Sequence, residues 1–167
     1  MNLRRLLGYD WPKRGQSIIA LDFDGVLHGY QSGWKGATVI PDPPVAGAIG
    51  GLLTLMQDFD ICIYSARSSQ WGGRRAMRAW LRQHLQEWLD HHYEPFPRVI
   101  PYFHPGMDPW DEEKRYWAET VLERLHFPIF KPPAHLTIDD RAMCFDGDWH
   151  ALDVAALAEF KPWNKRP

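Results

Sequence analysis

Asp22 and Asp24 stand one residue apart at the end of the apolar run Ile18-Ile19-Ala20-Leu21, and Gly25 follows at once. Two carboxylates this close repel, and each raises the pKa of the other unless a cation lies between them. A solvated turn would tolerate the pair but would leave the buried strand before it unexplained. The stretch points to chemistry.

Two further strand-like runs end in polar residues of the same kind. Phe59 to Ser65 alternates and then stops at Ser65 and Arg67, and His135 to Asp139 stops at Asp139 and Asp140. Lys131 lies a few residues before the last pair. In parallel α/β sheets, ligands collect at the carboxyl ends of strands around the point where strand order reverses. Four carboxylates, a hydroxyl and an ammonium would then converge on one place. Hard oxygen ligands of this type select magnesium, which keeps several of its waters. Magnesium with a lysine is what a transferring phosphoryl group needs, because its transition state spreads negative charge over the equatorial oxygens.

The elements that must position these groups are legible in outline. Residues 17–21 read as a buried strand, and residues 25–44, rich in glycine and proline, as a loop or small hairpin covering the strand end. A helix is expected from Pro43 or Pro44 to about Gln57, with Val45, Ile49, Leu52, Leu53 and Met56 at helical spacing. From about Gly73 to His91 the stripe Met77, Trp80, Leu81, His84, Leu85 and Trp88 gives the strongest helical signal. A short strand is expected around residues 99–103. Asp111, Glu112 and Glu113 then open a helix reaching Leu125, with the sign its dipole favours. A helix over "ALDVAALAEF" closes the chain. Strands alternating with helices predict a three-layer, Rossmann-like, doubly wound parallel sheet with helices on both faces.

The rest of the composition sets bounds. At 167 residues the chain is read as one domain, residues 1–167, with a possible small insert around 94–113. Hydrophobic residues make up 45% and charged residues 24%, with a net charge of −2, so no global field draws the chain to nucleic acid or membrane. No apolar run has signal-peptide or membrane-spanning length, and a cytoplasmic location is expected. Cys62 and Cys144 sit in apolar contexts without C-x-x-C spacing and read as two buried free thiols.

With Asp22-Phe23-Asp24-Gly25-Val26-Leu27, then Ser65, Lys131 and Asp139-Asp140, the chain resembles the haloacid dehalogenase superfamily of phosphohydrolases, in order and spacing over residues 18–148. The resemblance implies that Asp22 attacks phosphorus and forms an aspartyl-phosphate, and that Asp24 protonates the leaving alkoxide and then takes a proton from water. Ser65 would donate a hydrogen bond to the phosphoryl oxygens, and Lys131 would compensate charge on nucleophile and phosphate. Magnesium would be held by Asp22, the backbone carbonyl of Asp24 and Asp140, with Asp139 in the same or the next layer. Gly25 would let the chain turn sharply and approach the phosphate. Lys114 is the competing lysine, and the distance from Lys131 to the carboxylates favours Lys131.

The Ser-x-Arg formed by Ser65 and Arg67 is similar to that of polynucleotide kinase-phosphatases, although Ala66 stands where glycine is common. Arg67 would either bind a second substrate phosphate or hold Asp139 by an ion pair. Arg74, Arg78 and Arg82 share a helix face, with Arg75 beside them; the face is either solvated or a guide for a polyanionic substrate. Tyr30 and Trp34 either stack on a ring of the substrate or pack. His28 and His104 are placed at the cleft rim without a catalytic role. Some twenty residues after the first motif leave no room for a large cap, so the site would take bulky substrates such as nucleic-acid ends or protein phosphates.

The reading is therefore a magnesium-dependent phosphomonoesterase acting on a phosphorylated substrate, with nucleotide or nucleic-acid-end phosphates among the candidates. No membrane and no obligate protein partner are implied. The alternatives are a small-molecule phosphatase for sugar or nucleotide phosphates, and a non-catalytic phosphate-binding module of the same fold. Dehalogenation fits less well, because it does not need Asp24.

Overall fold

The computed structural model describes residues 17–92, 108–144, 147–148 and 153–166. Four strands form one parallel sheet: β1 (Ile18–Leu21), β2 (Asp60–Ile63), β3 (Leu125–His126) and β4 (Leu136–Ile138), in the order β3-β2-β1-β4. The chain runs outward from β1 through β2 to β3 and then returns to the other side of β1. The reversal of strand order falls between β1 and β4.

Register fixes what emerges at the carboxyl edge. Leu21 is level with Ile63 on one side and Ile138 on the other. The next backbone groups stay in step: the Asp22 amide donates to the Ile138 carbonyl at 2.9 Å, and the Tyr64 amide to the Leu21 carbonyl at 2.9 Å. The residues that follow the three strands, Asp22, Tyr64-Ser65 and Asp139-Asp140, thus leave the sheet at one height.

The helices are α1 (Ala48–Leu55), α2 (Gly73–His92), α3 (Pro109–Leu122) and a short α4 (Val154–Ala158), followed by a 3₁₀ turn at Trp163–Lys165. Helix α2 meets its expected span and buries Met77, Trp80, Leu81, Leu85 and Leu89. Helix α1 starts later than Pro44, because that residue is used elsewhere. Pro44 bridges to His28, the Val45 amide donates to the Leu27 carbonyl, and Gly47 with φ +78° turns the chain before Ala48. Asp108 caps α3 by accepting from the Trp110 amide, with Pro109 in the first turn. That helix stops at Leu122, and Leu125, expected as its end, pairs instead as edge strand β3.

The core joins the sheet to the helices through Phe23, Leu53, Ile63, Met77, Leu81 and Leu122, none more than 0% exposed. Helix α1 packs on α2 and α2 on α3. Strand β4 departs from the expected two-sided cover: Leu136 is 53% and Ile138 37% exposed, where helices on both faces would bury them. The strand expected at 99–103 and residues 94–107 of the possible insert lie outside the described residues. Cys62 is a buried free thiol, but Cys144 is free and exposed, outside any strand, so burial holds for Cys62 only. Among the described residues, no helix is long and apolar enough to cross a membrane.

Candidate functional site

The turn that leaves β1 is tight. Both the Leu27 and His28 amides donate to the Phe23 carbonyl, and the Gly25 amide donates to the His28 carbonyl at 2.8 Å. Gly25 takes φ +92°, which side-chain-bearing residues rarely adopt. It also makes room: a Cβ there would meet Asp140 Oδ2 at 2.5 Å and Asp140 Cγ at 2.6 Å. The sharp turn expected at Gly25 is present, and the space a side chain would fill there is taken by the Asp140 carboxylate.

Asp22, Asp139 and Asp140 offer carboxylate oxygens that all lie within 4.8 Å of one another. The Asp140 side chain is 1% exposed, and neither of its oxygens has a hydrogen-bond partner among the described residues. Arg141 Nε stands 3.7 Å from Oδ1, too far for a hydrogen bond. Asp139 accepts from the Arg141 amide at 2.8 Å and stays exposed. Burial raises Asp22 to about 7; a backbone hydrogen bond at Phe23 works against this, and the charges of Asp139, Asp24 and Asp140 add to it. Burial likewise raises Asp140, with Arg141 opposing and Asp139 adding. Three crowded carboxylates, one buried with both oxygens unmet, are what a hard divalent cation would satisfy. The donor set fits magnesium.

Asp24 is turned away from this cluster. Its Oδ1 lies 2.8 Å from His28 Nδ1, and Arg67 Nε donates to both oxygens, at 2.8 Å to Oδ2 and 3.1 Å to Oδ1. The Asp42 amide donates to His28 Nε2 at 3.1 Å. Nε2 is thus the acceptor of the ring, and Nδ1 carries the proton given to Asp24. Burial works to raise Asp24, but the hydrogen bonds from His28 and Arg67 and the Arg67 charge outweigh it and hold the carboxyl below its ordinary value. The carboxylate of Asp24 is not in the cation cluster.

Arg67 follows β2, the neighbour of β1 on the side away from β4. Its position explains its partner: the ion pair is with Asp24, not with Asp139 across the sheet. The side chain is 0% exposed, and Nη1 donates to the carbonyls of Gly36, Ala37 and Val39. Trp34 covers it, with the guanidinium carbon 4.7 Å from the ring centre. Arg67 therefore ties the loop after β2 to the loop after β1, and a phosphate would reach it only if that cover moved.

Ser65 ends the β2 side of the site and is 6% exposed. Its Oγ accepts from the Arg67 amide at 3.3 Å, and its amide donates to Ser68 Oγ. Lys131 is exposed, in the segment between β3 and β4, and among the described residues it makes no ion pair with Asp22, Asp139 or Asp140. Lys114 is committed elsewhere, to Asp90 at 2.8 Å and Asp111 at 2.9 Å across α2 and α3. Lys131 is the other lysine between Ser65 and Asp139.

Two features had no functional assignment from sequence. His28 is 0% exposed and acts behind Asp24; its place four residues after Asp24 in an apolar turn was the available signal. The C-terminal 3₁₀ turn fastens onto the first motif: Trp163 Nε1 donates to the Gly25 carbonyl at 2.7 Å and Asn164 Nδ2 to the Gly29 carbonyl at 3.2 Å. No local pattern could have announced contacts made across nearly the whole chain. Tyr30 lies under Arg141, whose guanidinium carbon is 5.6 Å from the ring centre. His104 lies outside the described residues. Comparison with known protein families, curated proteins and solved structures finds no match for this chain.

Proposed function

We propose that the chain is a magnesium-dependent phosphomonoesterase of the haloacid dehalogenase type. The observation that carries the reading is the Asp22, Asp139 and Asp140 cluster at the switch point between β1 and β4, with both oxygens of buried Asp140 unmet. Asp22, the backbone carbonyl of Asp24, Asp139 and Asp140 would hold the cation. When bound, magnesium lowers the repulsion among these carboxylates and offsets charge on the phosphoryl oxygens.

An Asp22 oxygen forms a bond to phosphorus while the bond from phosphorus to the leaving oxygen breaks. The leaving alkoxide takes a proton that the substrate's phosphate monoanion brings in and Asp24 relays, and departs as an alcohol. Water then attacks phosphorus, its proton passes to Asp24, and the Asp22 oxygen–phosphorus bond breaks to release inorganic phosphate. Ser65 donates to the phosphoryl oxygens, and Lys131 supplies the mobile positive charge. Arg67 and His28 hold Asp24 in its ionised form, the form that accepts the proton from water. Residues 25–47 contain no helix, so this loop brings no helical cap over the site. Nucleotide and nucleic-acid-end phosphates are the substrates we would screen first.

One observation favours a second reading. Asp24 is locked by two partners and held ionised, as it would be in a phosphate-binding module without turnover. Hydrolysis of an aryl phosphate by the wild type and by Asp22→Asn, with magnesium and with excess chelator, separates the two. Turnover lost in the variant and in chelator is expected for the enzyme. Turnover unchanged in the variant and in chelator would overturn the magnesium- and Asp22-dependent mechanism, and magnesium-dependent phosphate binding without any turnover would establish the module.

A further inference from the structure

Helix α2 carries a second surface that this chemistry does not use. Arg74, Arg75, Arg78 and Arg82 line a groove of about 760 Å³ together with His126 and Phe127, at the β3 edge of the sheet. Its volume is in the range of about 300–1,000 Å³ found for ligand pockets. Arg74, Arg78 and Arg82 repeat every fourth residue, a step of about 6 Å along a helix. Arg74 Nη1 donates to the Phe127 carbonyl at 3.2 Å and Arg78 Nη1 to the Leu122 carbonyl at 3.3 Å, which orients both guanidinium groups without neutralising them. Arg78 also lies 5.4 Å from the centre of the Phe127 ring. The counter-charge is Glu119 of α3, which pairs with Arg82 through Nε and sits near Arg78.

We propose that this groove holds the sugar–phosphate backbone of a single nucleic-acid strand. All four cations are arginines, whose planar forks suit phosphate oxygens better than a lysine point charge does. A row of them at even spacing is the positive track that a single strand's backbone follows, and Arg78 stacked on Phe127 keeps its place in that row. The groove lies two strands from β1, about 10 Å across the sheet. Arg74 and Arg75 stand where α2 starts, after the loop that leaves Ser65. The proposal is separate from the hydrolase reading, because it concerns binding of a strand with no terminal phosphate.

Fluorescence anisotropy of a labelled thymidine oligonucleotide without terminal phosphate, across a potassium chloride series, tests it. The wild type should bind, and Arg74→Gln/Arg75→Gln/Arg78→Gln should weaken binding by about tenfold or more at low salt. Each phosphate contact contributes about −0.7 to the salt slope on a single strand, so the variant should lose about 2 units. Circular dichroism checks that the variant folds. Should it not, two single changes decide: exposed Arg75→Glu should weaken binding several-fold, and Glu119→Gln, which releases Arg82, should tighten it. Absence of wild-type binding, unchanged affinity in these variants, or equal competition by a glutamate oligomer of the same charge would overturn the proposal.

Discussion

Arg67 and Asp24, 43 residues apart in sequence, form a buried ion pair in which Nε lies 2.8 Å from Oδ2 and 3.1 Å from Oδ1. The pair joins the end of β2 to the end of β1 and points the second aspartate of the first motif away from the first. It divides two neighbouring carboxylates between two jobs. Asp22 keeps company with Asp139 and Asp140, and Asp24 is held apart and ionised.

Removing one member of a buried pair costs about 3–5 kcal/mol when the other is left uncompensated, and because His28 still faces Asp24 at 2.8 Å the low end of that range applies. Arg67→Met should therefore lower stability in urea at neutral pH by that order. Asp24 is depressed in the folded state, so its contribution is present above the ordinary carboxylate value of 3.8 and lost as pH falls through its folded value. The gap between wild type and Arg67→Met should narrow in acid. A gap that stays constant from neutral pH to strong acid would mean the pair is not what Arg67 contributes.

Asp22 has the opposite sign. Its folded value of about 7 lies above 3.8, so ionising it opposes folding. That cost is absent below 3.8, grows between 3.8 and about 7, and is complete above about 7. In the presence of a chelator, Asp22→Asn should melt higher than the wild type at pH values above about 7 and lose that advantage toward the ordinary carboxylate value. Magnesium should stabilise the wild type in the upper range and Asp22→Asn much less. Melting curves over pH, with and without the cation, read both effects.

Gly25→Ala meets two obstacles at once, a φ of +92° and the Asp140 carboxylate at 2.5 Å from the new Cβ. Because Asp140 must move, loss of the magnesium-induced rise in melting temperature is expected along with lower stability. A variant that retains the full magnesium response would show that Asp140 need not sit against Gly25.

The two lysines should separate in kinetics. Lys131→Met is expected to reduce kcat on an aryl phosphate by two orders of magnitude or more, roughly the loss seen when one charge-stabilising donor is removed. Lys114→Met should leave kcat near wild type and lower stability slightly, because its pairs with Asp90 and Asp111 are on the surface of α2 and α3. The reverse result would move the catalytic lysine to Lys114.

Much of this chain was legible before folding. The apolar runs ending in Asp22, Ser65 and Asp139 announced three parallel strands and placed their polar ends together, because side-chain hydrophobicity and strand length are local properties. The stripe of Met77, Trp80, Leu81 and Leu85 announced α2 for the same reason. What sequence alone could not decide was partnership. Arg74, Arg78 and Arg82 could be placed on one face of α2 from their spacing, but only folding brings Glu119 of α3 to Arg82. Arg67 was open between Asp139 and a substrate phosphate, and the strand order brought it to Asp24. His28 became a buried hydrogen-bond donor because the Asp42 amide folds back onto its other nitrogen, and Trp163 reached Gly25 from the far end of the chain. Leu125 fitted the end of a helix by composition, but the sheet edge offered it a backbone partner at Ile61. Such choices depend on which segments meet in space. A carboxylate or guanidinium in a buried place takes whatever partner the packing brings, and packing is set by strand order and register rather than by the residues beside it in sequence.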